Sequence, residues 1–169
     1  MNTLTIWSPN VADFSKEYRV CAIDIMGHPS KSIPDVPIRD AADYVDWLSV
    51  TLNGLNLDRI SLAGISFDAW ITLNFARTAP ERIGKLVLLS PAASFQPLVR
   101  KFTLRTILSG IIPTRGTMNS FMKWMGLDDT PGDEVTRPFL DLMWLGGKYF
   151  QMPAETRRVM PGVFFDETN

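Results

Sequence analysis

The sequence predicts an α/β protein with a parallel sheet core of about three strands and a helical segment after it. Three observations carry that prediction. Short apolar runs stand at 18–25 (YRVCAIDI), 59–63 (RISLA) and 85–89 (KLVLL). Stretches of helical length and spacing separate them. From residue 95 onward no such run recurs, and stretches rich in Met, Trp, Phe and Leu take over.

The three runs are short, rich in branched residues and nearly continuous in hydrophobicity, as expected of strands buried on both faces of a parallel sheet. Residues 38–53 lie between the first two. Ala41, Ala42, Val45, Leu48, Val50 and Leu52 give a roughly helical apolar spacing, and Asp40, Asp43 and Asp46 stand early, where a helix dipole favours negative charge. Gly54 is the expected stop. Residues 67–78 form the second connecting helix, ended by Pro80. Strand, helix, strand, helix, strand implies right-handed crossovers and a parallel sheet. Residues 98–112, 116–125 and 135–150 read as helices, punctuated by Pro113, Pro131-Gly132, Pro153 and Pro161-Gly162. Residues 128–134 read as a polar loop. The expected organisation is a core over 1–94 and a helical segment over 95–169.

Composition narrows the function classes. The 169 residues are 46% hydrophobic and 21% charged, ordinary for a globular protein. A net charge of -1 offers nothing to nucleic acid or an acidic membrane surface. The single cysteine, Cys21, lies in an apolar run and reads as a small core residue. No leader or spanning segment is read, so a cytoplasmic location is expected. Asp128, Asp129, Asp133 and Glu134 cluster, but their spacing fits no usual metal loop. No metal and no cofactor are expected.

Chemistry concentrates after the second strand, at Gly64-Ile65-Ser66-Phe67-Asp68. A serine on a sharp strand-to-helix turn presents its hydroxyl at the carboxyl edge of a sheet. The backbone N–H of the next residue, Phe67, points to the same place, at a helix N-terminus that favours negative charge. This is the geometry of a nucleophile elbow, G-x-S-x-G.

The run GISFDAWITLNFARTAPERIGKLVLLSPAA resembles the elbow-helix-strand stretch of α/β-hydrolases of the serine carboxylesterase type. Upstream, DIMGHPSKS (residues 24–32) resembles the family's D-x-x-G-H-G-x-S loop, with one residue extra and Pro29 where glycine is common. The resemblance spans about residues 7–95, and the helices beyond resemble the family's cap. It implies a partial α/β-hydrolase fold. It also implies a serine hydrolase acting on small esters, with Ser66 as nucleophile and Phe67 N–H as oxyanion donor.

Three departures bear on activity. Asp68 stands where the family usually has glycine. At roughly 6 Å and an effective dielectric of about 20, its charge would repel an oxyanion by about 3 kcal/mol. That is comparable to losing one oxyanion donor, and it exceeds the ~0.3–1 kcal/mol that a helix dipole gives an acid in its first turn. If Asp68 points to water the repulsion nearly vanishes. In the resembled family an acid and then a histidine follow the serine. Here the one histidine, His28, precedes Ser66 and matches the non-catalytic loop histidine. Asp24 reads as a loop-ordering acceptor. A Ser-Lys pair fails because Lys85 begins its strand at the wrong end of the sheet. The third departure is extent: the family's first strands and its acid- and histidine-bearing strands have no counterpart here.

The expectation is therefore a truncated hydrolase, inactive as this chain, with exposed sheet edges through which it self-associates. A non-catalytic remnant or binding protein of the same fold is the alternative. Met118, Met122, Trp124 and Met125 share a helix face or its border. They either pack against the sheet or line an apolar acyl pocket.

Overall fold

The computed structural model describes residues 4–28, 31–127 and 136–149. In chain order they form a 3-10 turn (Leu4–Trp7), α1 (Ser8–Phe14), α2 (Ala41–Gly54), β1 (Ile60–Ile65), α3 (Phe67–Thr78), a 3-10 turn (Pro80–Arg82), β2 (Ile83–Leu89), α4 (Arg100–Ile111), α5 (Arg115–Trp124) and α6 (Thr136–Tyr149). The chain divides into two compact units. Pro34–Leu98 belongs to one, and Met1–Ile33 with Val99–Met152 belongs to the other.

Within Pro34–Leu98, β1 and β2 pair in parallel, with Leu62 opposite Leu86, Gly64 opposite Leu88 and Ile65 opposite Leu89. Helix α3 crosses between them and packs on both strands, and α2 packs on α3. Asp40 caps α2 by accepting the Asp43 amide at 3.1 Å. Arg39 donates to Asp43 through both backbone and guanidinium, which holds the Asp43 carboxyl below the usual carboxylate range. Tyr44, Val45, Leu48 and Leu52 form the buried face of α2. Val50 lies on the opposite, exposed face. The turn after α2 is taken by Asn56, at φ 53°, rather than by Gly54. The Leu57 amide closes back on the Leu52 carbonyl at 3.0 Å, a Schellman-type ending with Asn in the left-handed position.

Arg82 ties the unit together. Its guanidinium donates to the Leu57 and Asp58 carbonyls and to the Asn53 side chain, and it lies over the Phe75 ring. The Pro-Glu-Arg turn thus locks the entrance of β2 to the end of α2.

Two strand expectations are corrected. Residues 18–25 form no strand among the described residues. A strand exists only where a neighbour satisfies its backbone groups, and apolar character alone supplies none. Cys21 in this segment is exposed, not a core residue. The paired strands are also not buried on both faces. Ser61, Ala63, Lys85, Val87 and Leu89 are exposed on the face opposite α3. Among the described residues of this unit, helix covers one side of the two-stranded sheet.

In the other unit α4, α5 and α6 pack mutually. Thr114 and Thr117 form a reciprocal capping box that starts α5. Met118, Phe121 and Met122 bury against Leu140 and Met143, with Phe102, Leu127 and Trp144 around them. Met118 and Met122 therefore pack helix on helix, and Trp124 and Met125 fall on the exposed side. Arg115 pairs with Asp141 and lies over the Trp144 ring. Helix α1 has no buried residue and was not legible as a helix in the sequence. The polar loop over 128–134 and the prolines at 131, 153 and 161 lie outside the described residues.

Candidate active site

The strand-to-helix turn falls on one residue. Ile65 ends β1, Phe67 opens α3, and Ser66 between them adopts φ 58° and ψ −115°. A non-glycine residue there carries strain of about 1–3 kcal/mol and persists only where its surroundings over-determine it. The surroundings do so through three backbone bonds. The Ser66 amide donates to the Leu89 carbonyl at 2.9 Å, continuing the ladder one step past β1. The Ser66 carbonyl accepts from the Trp70 amide at 3.2 Å and from the Ala92 amide at 3.0 Å. Its side chain makes no capping bond to α3, so the hydroxyl is not consumed by the helix.

Gly64 explains why the motif begins with glycine. A Cβ at this position would meet the Ala69 backbone N and Cα at 2.7 Å. The strand passes so close beneath the first turn of α3 that no side chain fits. The second glycine position differs. Asp68 lies inside α3 and is not among the positive-φ residues, so a Cβ there meets no backbone penalty. It is half-buried, with Oδ1 sealed from solvent. The carboxylate is therefore not directed wholly to water.

Phe67 stands at the first position of α3, where amides have no acceptor within the helix. Its ring is held by aromatic neighbours. It stacks on Trp70 at 5.3 Å and meets Tyr44 edge-on at 5.4 Å. Tyr44 is fully buried, and its hydroxyl has no hydrogen-bond partner among the described residues. Burial pushes its pKa up to about 12.

The sequence reading missed the floor of the turn. After β2 the chain passes through Ser90 and Ala93, both at φ 46°, and Ser94 is fully buried with its hydroxyl on the Ala92 carbonyl. This loop delivers the Ala92 amide to Ser66. Ser90-Pro91 signalled a strand end, but no sequence feature signals a backbone clamp.

Of the residues weighed from sequence, Ser66, Phe67 and Asp68 come together at the turn. His28 and Asp24 belong to the other unit, and each engages partners of its own. His28 sits in a turn made by Gly27 at φ 79°, with its amide on the Ile25 carbonyl. Lys85 pairs with Ser61, five residues before Ser66, or about 16 Å along the strand at its usual rise. Among the described residues no group of three or more His, Cys, Asp or Glu could hold a metal. The acids at 128, 129, 133 and 134 lie outside the described residues.

Comparison with known proteins speaks to the fold. The family model described as alpha/beta hydrolase fold matches residues 2–114. The uncharacterized carboxylesterase nap of Bacillus subtilis is 32% identical over 169 residues, covering 96% of this chain and 53% of that one. Carboxylesterase YbfK of the same organism is 37% identical over 123 residues, covering 71% and 40%. The crystal structure of naproxen esterase from Bacillus subtilis superposes with a TM-score of 0.81 at 27% identity, over 98% of this chain and 57% of that chain. The chain thus spans about half the length of the curated relatives it matches.

Proposed function

The chain belongs to the α/β hydrolase fold family, and from that premise we propose that it is a carboxylesterase-like serine hydrolase of small esters with Ser66 as its nucleophile. One observation carries the proposal: Ser66 is held at φ 58° between a strand and a helix, with its hydroxyl unused by the helix cap. In the reaction the Ser66 Oγ bonds to the ester carbonyl carbon, and the carbonyl oxygen becomes an oxyanion beside the Phe67 N–H. The alcohol leaves as the acyl-enzyme forms, and water then releases the acid. The relatives' names, both carboxylesterases, support the ester as substrate class.

The proton on Oγ must go to a base. No histidine follows Ser66 in the sequence, so on this reading the 169 residues alone are expected to turn over esters poorly at neutral pH. A second reading, a non-catalytic protein of the same fold, is favoured by that missing base and by the sealed Asp68 oxygen.

Labelling by a fluorophosphonate in the presence of added imidazole separates the two. Imidazole takes the proton, the Oγ–P bond forms, and fluoride leaves. The catalytic reading expects imidazole-dependent labelling that maps to Ser66 and vanishes in Ser66→Ala. Equal, slow labelling of Ser66 and other exposed serines would establish the silent reading.

A further inference from the structure

Helix α4 is built inside-out. Leu104, Ile107, Leu108 and Ile111 recur at the spacing of one helical face, yet they are 68%, 52%, 51% and 74% exposed. The face turned inward carries Ser109, which is buried, with Phe102 and Thr106 half-buried, and Arg105 stands half-buried at the border between the two faces. Ile112 and Val99 extend the exposed apolar strip at either end.

The sequence around this strip is rich in cations, of which Arg115 is paired with Asp141 of α6. Residues 99–127 contain Arg100, Lys101, Arg105, Arg115 and Lys123, and no Asp or Glu. The whole-chain value of -1 conceals this block. Lys101 and Arg105 both stand over the Trp124 ring, at 5.6 and 5.2 Å, so two cations are fixed beside the strip with an aromatic ring under them. Trp124 and Met125 are themselves exposed. Apolar residues on one face, cations flanking them and a tryptophan at the border match the requirements of a helix lying in the plane of an anionic lipid surface. At 12 residues α4 is about 18 Å long, too short to span a bilayer core. No described helix is long and apolar enough to cross one.

We propose that the exposed face of α4, with Lys101, Arg105 and Trp124, docks on an anionic lipid surface. The apolar stripe enters the boundary between headgroups and acyl chains, and the flanking cations meet the lipid phosphates. The proposal stands apart from the chemistry of Ser66.

Co-sedimentation of the full chain with vesicles tests it. Vesicles of phosphatidylglycerol should bind the chain, vesicles of phosphatidylcholine should not, and added salt should release it. Lys101→Gln and Arg105→Gln should each weaken binding roughly fivefold, the worth of one juxtamembrane cation. Leu104→Gln with Ile111→Gln, at fully accessible positions, should abolish it while the helical circular dichroism stays unchanged. No sedimentation, equal sedimentation with both lipids, or indifference to these substitutions overturns the proposal. Self-association without vesicles, lost in the Leu104→Gln/Ile111→Gln variant, would assign the face to a second copy instead.

Discussion

Gly64 and Tyr44 show how single atoms set this site, from opposite directions. At Gly64 one added carbon would sit 2.7 Å from the α3 backbone, which cannot yield as a flexible side chain would. Gly64→Ala should destabilise the protein by about 1–3 kcal/mol, the cost of forcing an atom into a packed contact. Urea unfolding measures that loss. At Tyr44 one atom is superfluous, because its buried hydroxyl has no partner among the described residues. Tyr44→Phe should be neutral or raise stability by up to about 1 kcal/mol. The same residue gives a pH signature. Folding raises the pKa of this acid to about 12 from an ordinary 10.0, so the folded state holds the proton more tightly than the unfolded chain. Stability is therefore fully present below pH 10 and falls as pH rises from about 10 towards 12. That alkaline fall should shrink in Tyr44→Phe. At Asp68, neutralisation to Asn should speed imidazole-dependent labelling of Ser66, by up to about two orders of magnitude if the full 3 kcal/mol repulsion operates. An unchanged rate would mean that the charge does not face the oxyanion.

At the scale of elements, the turns between helices and strands bear most of the burden. Arg82 gathers two carbonyls and one side-chain amide from the end of α2 and the segment after it. Arg82→Met keeps much of the stem over Phe75 and removes the charged donors, and should cost about 2 kcal/mol in urea unfolding. Periodicity and punctuation made these elements legible. The apolar spacing of α2, the Gly64-to-Asp68 motif before α3 and the Pro-Glu-Arg turn before β2 each located an element. Residues 18–25 failed the same test for a reason outside their own composition. A strand is a property of a pair, and a single run of apolar residues does not disclose whether its neighbour exists. The burial of β1 and β2 misled similarly. Val87 and Leu89 read as buried on both faces because a parallel sheet normally has two covering layers, but among the described residues of this unit helix lies on one side. Helix α4 carries the converse ambiguity: its stripe is visible in sequence, while the direction it faces is not.

For the whole molecule, the candidate site was legible where chemistry and backbone share a motif, and illegible where only backbone acts. Ser66, Phe67 and the need for Gly64 came from residue types at fixed spacing. The Ala92 amide beneath Ser66, and the left-handed Ser90 and Ala93 that bring it there, involve main-chain groups that every residue possesses. Charge followed the same pattern. A net value of -1 described the chain and hid a stretch with five cations and no acid. The chain belongs to the α/β hydrolase fold family, and the strained Ser66 at the strand-to-helix turn is the nucleophile we propose for it.

The most direct test compares the rate of fluorophosphonate labelling, with imidazole present, between the unaltered chain and Gly64→Ala under conditions where both remain folded. If the strained turn is what presents the Ser66 hydroxyl, the rate in Gly64→Ala should fall to that of Ser66→Ala. An adduct forming at Ser66 equally fast in both would show that the hydroxyl does not depend on the turn, and would contradict the account.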